Sequence, residues 1–199
     1  LARYAVIYDA CVLYPAPLRD LLIQLATANL FRAQWSEQIQ EEWINALMKA
    51  EPSRDRKALE RAKMLMNRAV TDANVTDYEP LINSIVLPDP DDRHVVAAAI
   101  KAKADGIVTF NLKDFPTSVL EPLNLEAIHP DDFINAQMDL TDAAVIQAAT
   151  KCCRRLANPP KSGKDYLDTL QKQQLPKTVA ALRPYEEIIC PSSAIPRLR

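Results

Sequence analysis

The chain has 199 residues, 48% of them apolar, enough to bury a core and form one domain with an appendage. Its formal charge of −2 divides unevenly: residues 1–133 hold 14 Lys and Arg against 20 Asp and Glu, while residues 134–199 hold 10 against 6. Two glycines cannot build a GxGxxG or GxxxxGK phosphate loop, and His94 and His129 form no HExxH pattern, so those nucleotide sites are excluded and most histidine-based metal chemistry is disfavoured. No apolar run reaches the roughly 18 residues of a membrane span, and no charged stretch precedes an apolar segment at the amino end. A soluble, unexported, cytoplasmic protein without membrane contact is expected.

Tyr4 to Tyr8 is continuously apolar and stops at Asp9, the pattern of a central strand covered on both faces. Shorter runs at Ala33 to Trp35, Ile85 to Leu87, Gly106 to Phe110 and Leu125 to Ile128 also read as strands. Helical patterns over 17–29, 36–50, 54–70 and 91–104 lie between them, and this alternation predicts a parallel sheet with helices on both faces. After His129-Pro130-Asp131-Asp132-Phe133 the strand signals stop. Helices follow near 141–157, 162–173 and 176–183, then an extended or mobile tail over 191–199. Cys11, Cys152, Cys153 and Cys190 form no CxxC pair and read as reduced thiols. On a helix, the neighbours Cys152 and Cys153 point about 100° apart and cannot share a metal.

In a parallel α/β sheet, ligands gather beyond the carboxyl ends of the strands. Asp9 sits at such an end, where it either serves a site or caps the next helix. In helix 36–50, with Ser36 as N-cap, the stripe of Ile39, Trp43, Ala46, Leu47 and Ala50 leaves Glu42 at its margin and turns Glu41 toward solvent. A carboxylate at a core margin needs a partner such as a cation, although a rim glutamate reaching water also fits. In Asp89-Pro90-Asp91-Asp92, Pro90 suits the first helical position, which makes Asp89 the N-cap, and Asp92 falls near the place of a capping-box acid. Asp92 also shares a face with Val95, Val96 and Ala99, so it aims inward while Asp91 aims outward. Asn111 and Asp114 follow a strand and are either site groups or turn residues before Pro116. Together these are oxygen-only ligands, which suit a hard cation such as Mg²⁺ and a phosphodiester substrate.

The segments VIYDACVLYP, SEQIQEEW, DPDDRHVVAAAI and IVTFNLKDFP occur in the order found in PIN-domain ribonucleases, and over about residues 3–133 the chain resembles the VapC-related toxins of that family. The resemblance implies an α/β, PIN-like three-layer fold with a central parallel sheet. It implies a nuclease domain over 1–133 and a C-terminal helical extension and tail over 134–199, similar to extensions in one branch of the family. It further implies Mg²⁺ or Mn²⁺ held by Asp9, Glu42 and Asp92, activating water for in-line attack on RNA. Thr109 or Asn111 would orient water or phosphate, with Asp89 in support. The family often has Thr-x-Asp where this chain has Thr109-Phe110-Asn111. The fourth acid is therefore either Asp114, through a different loop path, or is replaced by Asn111 as a neutral ligand.

Arg54, Arg56, Lys57, Arg61, Lys63 and Arg68 form a strip that either contacts the RNA backbone or is an ordinary solvated helix face. RNA, a small antitoxin protein and a second copy in a homodimer are the partners the resemblance implies. Two other readings compete. An aspartyl-phosphate phosphatase needs an acid two residues after Asp9, where Cys11 stands. A noncatalytic PIN-like module binding RNA or protein is favoured by Asn111 and opposed by Asp9, Glu42 and Asp92.

Overall fold

The structure, a computed structural model, describes residues 3–156 and 159–191. Strands β1 (Ala5–Tyr8), β2 (Arg32–Ser36), β3 (Asn74–Val75), β4 (Gly106–Val108) and β5 (Glu126–Ile128) form one sheet in the order β3-β2-β1-β4-β5. Every pairing is parallel. All four residues of β1 are buried, as a strand with helices on both its faces requires, and this is why it reads as an unbroken apolar run. Helices α1 (Ala10–Leu13), α2 (Ala16–Ala26), α3 (Glu37–Ala50), α4 (Arg56–Ala69), α5 (Glu79–Ile82), α6 (Arg93–Ala102) and α7 (Thr117–Leu120) lie between the strands. After the last strand come α8 (Pro130–Leu140), α9 (Asp142–Arg155), α10 (Gly163–Gln171), α11 (Pro176–Leu182) and α12 (Glu186–Ile189). The expected three-layer α/β fold with a helical extension is the fold that forms.

One expected strand is absent and another takes its place. Ile85 and Leu87 are buried while Val86 is 78% exposed, so the triplet alternates like a strand, yet it joins no ladder and runs into Pro88. The added strand is β3, whose two residues at the sheet edge are too few to show any period. At the other side, β5 packs its side chains over β4: a Cβ on Gly106 would meet Ile128 Cδ1 at 2.9 Å, a contact that a small shift of that side chain would relieve.

The C-terminal helices are tied into the same core. Phe133 of α8 packs edge-on against Phe31 at 4.8 Å between ring centres and against Tyr8 of β1 at 6.3 Å, so α8 runs across the boundary expected at residue 133. Helix α9 lies along α2, and α11 along α8. The buried Asp131 carboxylate accepts the backbone N–H groups of Lys177 (2.9 Å) and Thr178 (2.8 Å), two donors that the first turn of α11 leaves unpaired. Asp131→Ala should therefore lower the stability by about 2 kcal/mol, because the buried N–H of Thr178 and the part-buried N–H of Lys177 lose their acceptor. Urea unfolding measures this, and an unchanged midpoint would show that α11 is not held through Asp131.

The reading of four reduced thiols is corrected for one pair. Cys153 of α9 and Cys190, just after α12, form a disulfide across 37 residues, brought together by the packing of α12 on α9 rather than by any spacing motif. Cys11 and Cys152 are free thiols. Of the tail expected over 191–199, residues 192–199 lie outside the described residues. Among the described residues no helix is long and apolar enough to cross a membrane.

Candidate active site

From β1 the chain passes to β2 on one side and later returns at β4 on the other, so the carboxyl ends of β1 and β4 form the switch point at which parallel sheets open a crevice. Tyr8 and Val108 are in register, and Asp9 and Thr109 therefore leave the sheet side by side. The backbone N–H of Asp9 donates to Val108 O at 3.1 Å. Its carboxylate, in a residue only 4% exposed, accepts at Oδ2 from Thr109 Oγ1 (2.7 Å) and from Cys11 Sγ (3.0 Å). Asp9 occupies the N-cap position of α1 but makes no side-chain capping bond. Capping does not account for it.

Thr109 is fully buried, and its hydroxyl is engaged with Asp9 and with the N–H of Asn111 at 3.0 Å, so it aims Asp9 instead of reaching toward solvent. Burial, then the charge of Asp9, pushes the Cys11 thiol up to about 12. It stays a hydrogen-bond donor and does not supply the acid that an aspartyl-phosphate phosphatase places there.

The Asp89–Asp92 segment separates as local rules suggest, with one shift of register. Asp89 accepts the N–H of Asp91 at 2.9 Å and caps a 3-10 turn over Pro90–Asp92. Helix α6 begins only at Arg93, and Asp92 at its N-cap makes no side-chain capping bond. Asp89 is thus occupied structurally, while the carboxylate of Asp92 is left for the crevice. Burial pushes Asp92 up to about 6, with the charges of Asp9, Asp89 and Asp114 adding to the rise and His94 opposing it.

On α3, Ser36 caps the helix as expected by accepting the N–H of Ile39 at 3.2 Å. Glu41 and Glu42 point apart, although Glu41 does not simply face water. It bridges to α4, where Lys63 Nζ and Arg56 Nη2 each lie 2.7 Å from it, and Lys63 first, then Arg56, holds its carboxyl below the usual range. Glu42 turns the other way, to His94 Nε2 at 2.8 Å. Asp9, Glu42, Asp92 and Asn111 line one cavity of about 380 Å³, walled by Tyr14 and Trp43. Beneath that wall the buried Arg19 guanidinium lies 4.4 Å from the centre of the Trp43 ring and donates to Leu13 O at 2.7 Å. Asp114 does not line the cavity; it follows in the turn closed by its own N–H to Asn111 O, and acts on Asp92 through its charge.

Two side chains that matter here were not singled out from the sequence. His94 was discounted with the scarcity of histidine, yet α6 is buried at every position from His94 to Ala99. The run 95–100 that follows His94 is apolar on every side and leaves no solvent face for a neighbouring histidine, a signal the sequence carries. Arg19 gave none, since its partners are backbone and ring atoms of other elements. Half of the basic strip is paired: Arg54 with Glu51, Arg56 with Glu41 and Glu60, and Lys63 with Glu37, Glu41 and Glu60.

Among the described residues, no three His, Cys, Asp or Glu side chains form a group able to hold an ion by themselves. The donor set nevertheless fits a hard divalent cation, because Mg²⁺ commonly uses one or two carboxylates and completes its shell with water and phosphate. Asp9 and Asp92 have no Lys or Arg ion pair among the described residues, and burial first, then like charges, drives Asp92 upward; a cation would relieve the repulsion between the acids.

Comparison with known proteins places the chain in a family. A family model described as VapC50 C-terminal domain matches residues 130–184. The chain is 40% identical over 92 residues to a protein of Mycobacterium tuberculosis (strain ATCC 25618 / H37Rv) named "Putative ribonuclease VapC50", the match covering 46% of this chain and 54% of that protein. The chain thus spans about half the length of the curated relative it matches. No solved structure matches. The PIN domain model matches residues 5–113, more than half of the chain and the whole stretch from β1 to the loop after β4 that builds the carboxylate cavity, and the protein belongs to the PIN-domain family.

Proposed function

We propose that this chain is a Mg²⁺- or Mn²⁺-dependent endoribonuclease that hydrolyses RNA phosphodiester bonds, acting in the cytoplasm as the toxin of a toxin–antitoxin pair. The observation that carries the reading is the one cavity lined by Asp9, Asp92 and Glu42, with Asp92 raised to about 6 by burial and by neighbouring acids. Membership of the PIN family and the name of the relative support it. The nuclease unit expected over 1–133 closes with β5, and the extension expected over 134–199 starts with α8 at Pro130; a small antitoxin protein and a second copy of the chain are the protein partners.

Asp9 and Asp92 are the principal ligands, and Glu42 supplies a further oxygen. A divalent cation bound there supplies activation of water and neutralisation of developing charge. Thr109 and Cys11 hold Asp9 in one orientation, which keeps its free oxygen toward the cavity. Asn111, exposed at the cavity edge, offers an amide to a phosphate oxygen or to water, and Asp114 and Asp89 add negative charge around Asp92. Lys57, Arg61 and Arg68, which make no ion pair among the described residues, remain for contact with the RNA backbone. The second reading, a noncatalytic RNA- or protein-binding module, has Asn111 in its favour, since an amide stands where the family often has a carboxylate.

The deciding experiment is cleavage of RNA by the purified chain with Mg²⁺ or Mn²⁺ and with EDTA, comparing Glu41→Gln and Glu42→Gln. Cleavage is expected only with metal. Glu42→Gln should lose at least about tenfold, the low end for weakening a metal site through one of its supports, whereas Glu41→Gln should stay within a few-fold. Glu41→Gln removes a partly exposed ion-pair partner and should cost no more than about 1 kcal/mol of stability. Equal losses at both positions would reject the assignment of Glu42, and RNA binding without cleavage in any metal would favour the noncatalytic module.

A further inference from the structure

His94, the second residue of α6, is a buried side chain, 3% exposed, and its Nε2 lies 2.8 Å from Oε1 of Glu42 on α3. Gln38 Nε2, one turn earlier on the same helix, donates to that same oxygen at 3.2 Å. Oε2 of Glu42 accepts no hydrogen bond from any described residue, while Glu42 itself lines the cavity with Asp9 and Asp92. At the far side of the imidazole ring, Nδ1 is buried without a hydrogen-bond partner. Nε2 is therefore the ring nitrogen that faces Glu42, the single polar contact of the ring among the described residues. A polar ring buried beside the apolar run 95–100 is costly unless it has a polar partner. One oxygen of Glu42 thus accepts from Gln38 and lies against His94 Nε2, and the other is left toward the cavity.

We propose that His94 is a positioning residue for the metal site: it fixes Oε1 of Glu42 so that Oε2 is presented to a divalent cation as a single-oxygen ligand. This rests on the metal-dependent reading above. Without His94, a glutamate whose side chain is 38% exposed is free to take other rotamers, and the cation would have to order it on binding. Partners that orient metal ligands commonly contribute 10–100-fold in affinity, so an effect of about that size is expected on binding.

The test is Mn²⁺ affinity of the full chain by calorimetry. His94→Leu should weaken Mn²⁺ binding by about 10–100-fold, and His94→Gln, whose amide can donate to the same oxygen, should recover most of it. In a Glu42→Gln background, His94→Leu should change the affinity little further, because its route of action is already gone. Should His94→Leu not fold, the wild type carries the test. The chain has only two histidines, so ¹⁵N-histidine-labelled protein reports His94 and His129 alone, and Mg²⁺ should move the His94 ring resonances much more than those of His129. Unchanged Mn²⁺ affinity in folded His94→Leu, or His94 resonances that stay in place while Mg²⁺ binds, would overturn the inference and leave the nuclease reading standing. A wild-type chain that neither binds Mn²⁺ nor cleaves RNA would overturn both.

Discussion

Asp9→Asn is expected to abolish nearly all metal-dependent RNA cleavage, a loss of roughly a thousandfold. The substitution is a mild one for the fold. Thr109 Oγ1 and Cys11 Sγ both donate to the same oxygen, Oδ2, and an asparagine carbonyl placed there accepts from both. Its amide nitrogen must then occupy the other position and face the cavity with protons where a cation requires a lone pair. Charge and ligand disappear together, with shape and internal hydrogen bonds retained. A loss of about 4 kcal/mol of transition-state stabilisation, reasonable for removing the central ligand of a metal-assisted hydrolysis, gives the thousandfold figure. Single-turnover cleavage of RNA at saturating Mg²⁺ or Mn²⁺ measures it, alongside a melting curve to show that the variant is folded. Cleavage at the wild-type rate would mean that the reacting centre lies elsewhere.

Divalent metal should also raise the melting temperature, and the acids at the site set the pH at which this matters. Asp92 is raised to about 6 in the folded chain from an ordinary value of 3.8, first by burial and then by Asp9, Asp89 and Asp114. A carboxyl raised on folding binds its proton more tightly in the native state. Its contribution is fully favourable below about pH 4 and is lost as pH rises through about 6. With about half of the group in contact with solvent, screening limits this to about 1 kcal/mol. In EDTA, Asp92→Asn should therefore melt above wild type by a few degrees at pH 7.5, at roughly 2–4 °C per kcal/mol, and the gap should close toward pH 4.

Metal acts in the opposite sense. A cation at a hundred times its dissociation constant stabilises the folded chain by about 2.7 kcal/mol, or some 5–10 °C for a chain of this size. That gain should be large for wild type at pH 7.5, smaller at pH 5 where Asp92 is protonated, and much reduced in Asp92→Asn and Asp9→Asn. Thermal unfolding with EDTA, Mg²⁺ and Mn²⁺ at both pH values supplies every comparison. Superimposable wild-type curves at pH 7.5 in all three solutions, at millimolar cation, would reject a preformed metal site and favour the noncatalytic module.

Which parts of this were legible beforehand follows from the range of the forces involved. Helices α3, α4, α6 and α9 lie within a few residues of their apolar periods, because 3.6-residue amphipathicity is a local property written into each segment. Strand β1 was equally plain, since a strand buried on both faces must be continuously apolar. Strand β3 was not, being two residues at an edge, and Ile85–Leu87 imitated a strand because burial alternates there without a ladder.

The same division holds at the candidate site. That Asp9 ends a strand, that Glu41 and Glu42 point apart, and that Asp92 opens a helix beside its apolar face were all determined by the sequence itself, through the 100° step of the helix and the stop of an apolar run. Whether those acids cap helices or serve a cavity was decided only by the tertiary structure. Asp89 caps and Asp92 does not; Asp9 stands at an N-cap position without capping. The pairings that aim the site link residues far apart in the chain: Thr109 to Asp9 across β4 and β1, and His94 to Glu42 across α6 and α3. The Cys153–Cys190 bond is of the same kind, made by α12 packing on α9. Local rules relate residues a few positions apart. They carry no information about which strand lies beside β1, and it is the order β2-β1-β4 that brings Thr109 to Asp9.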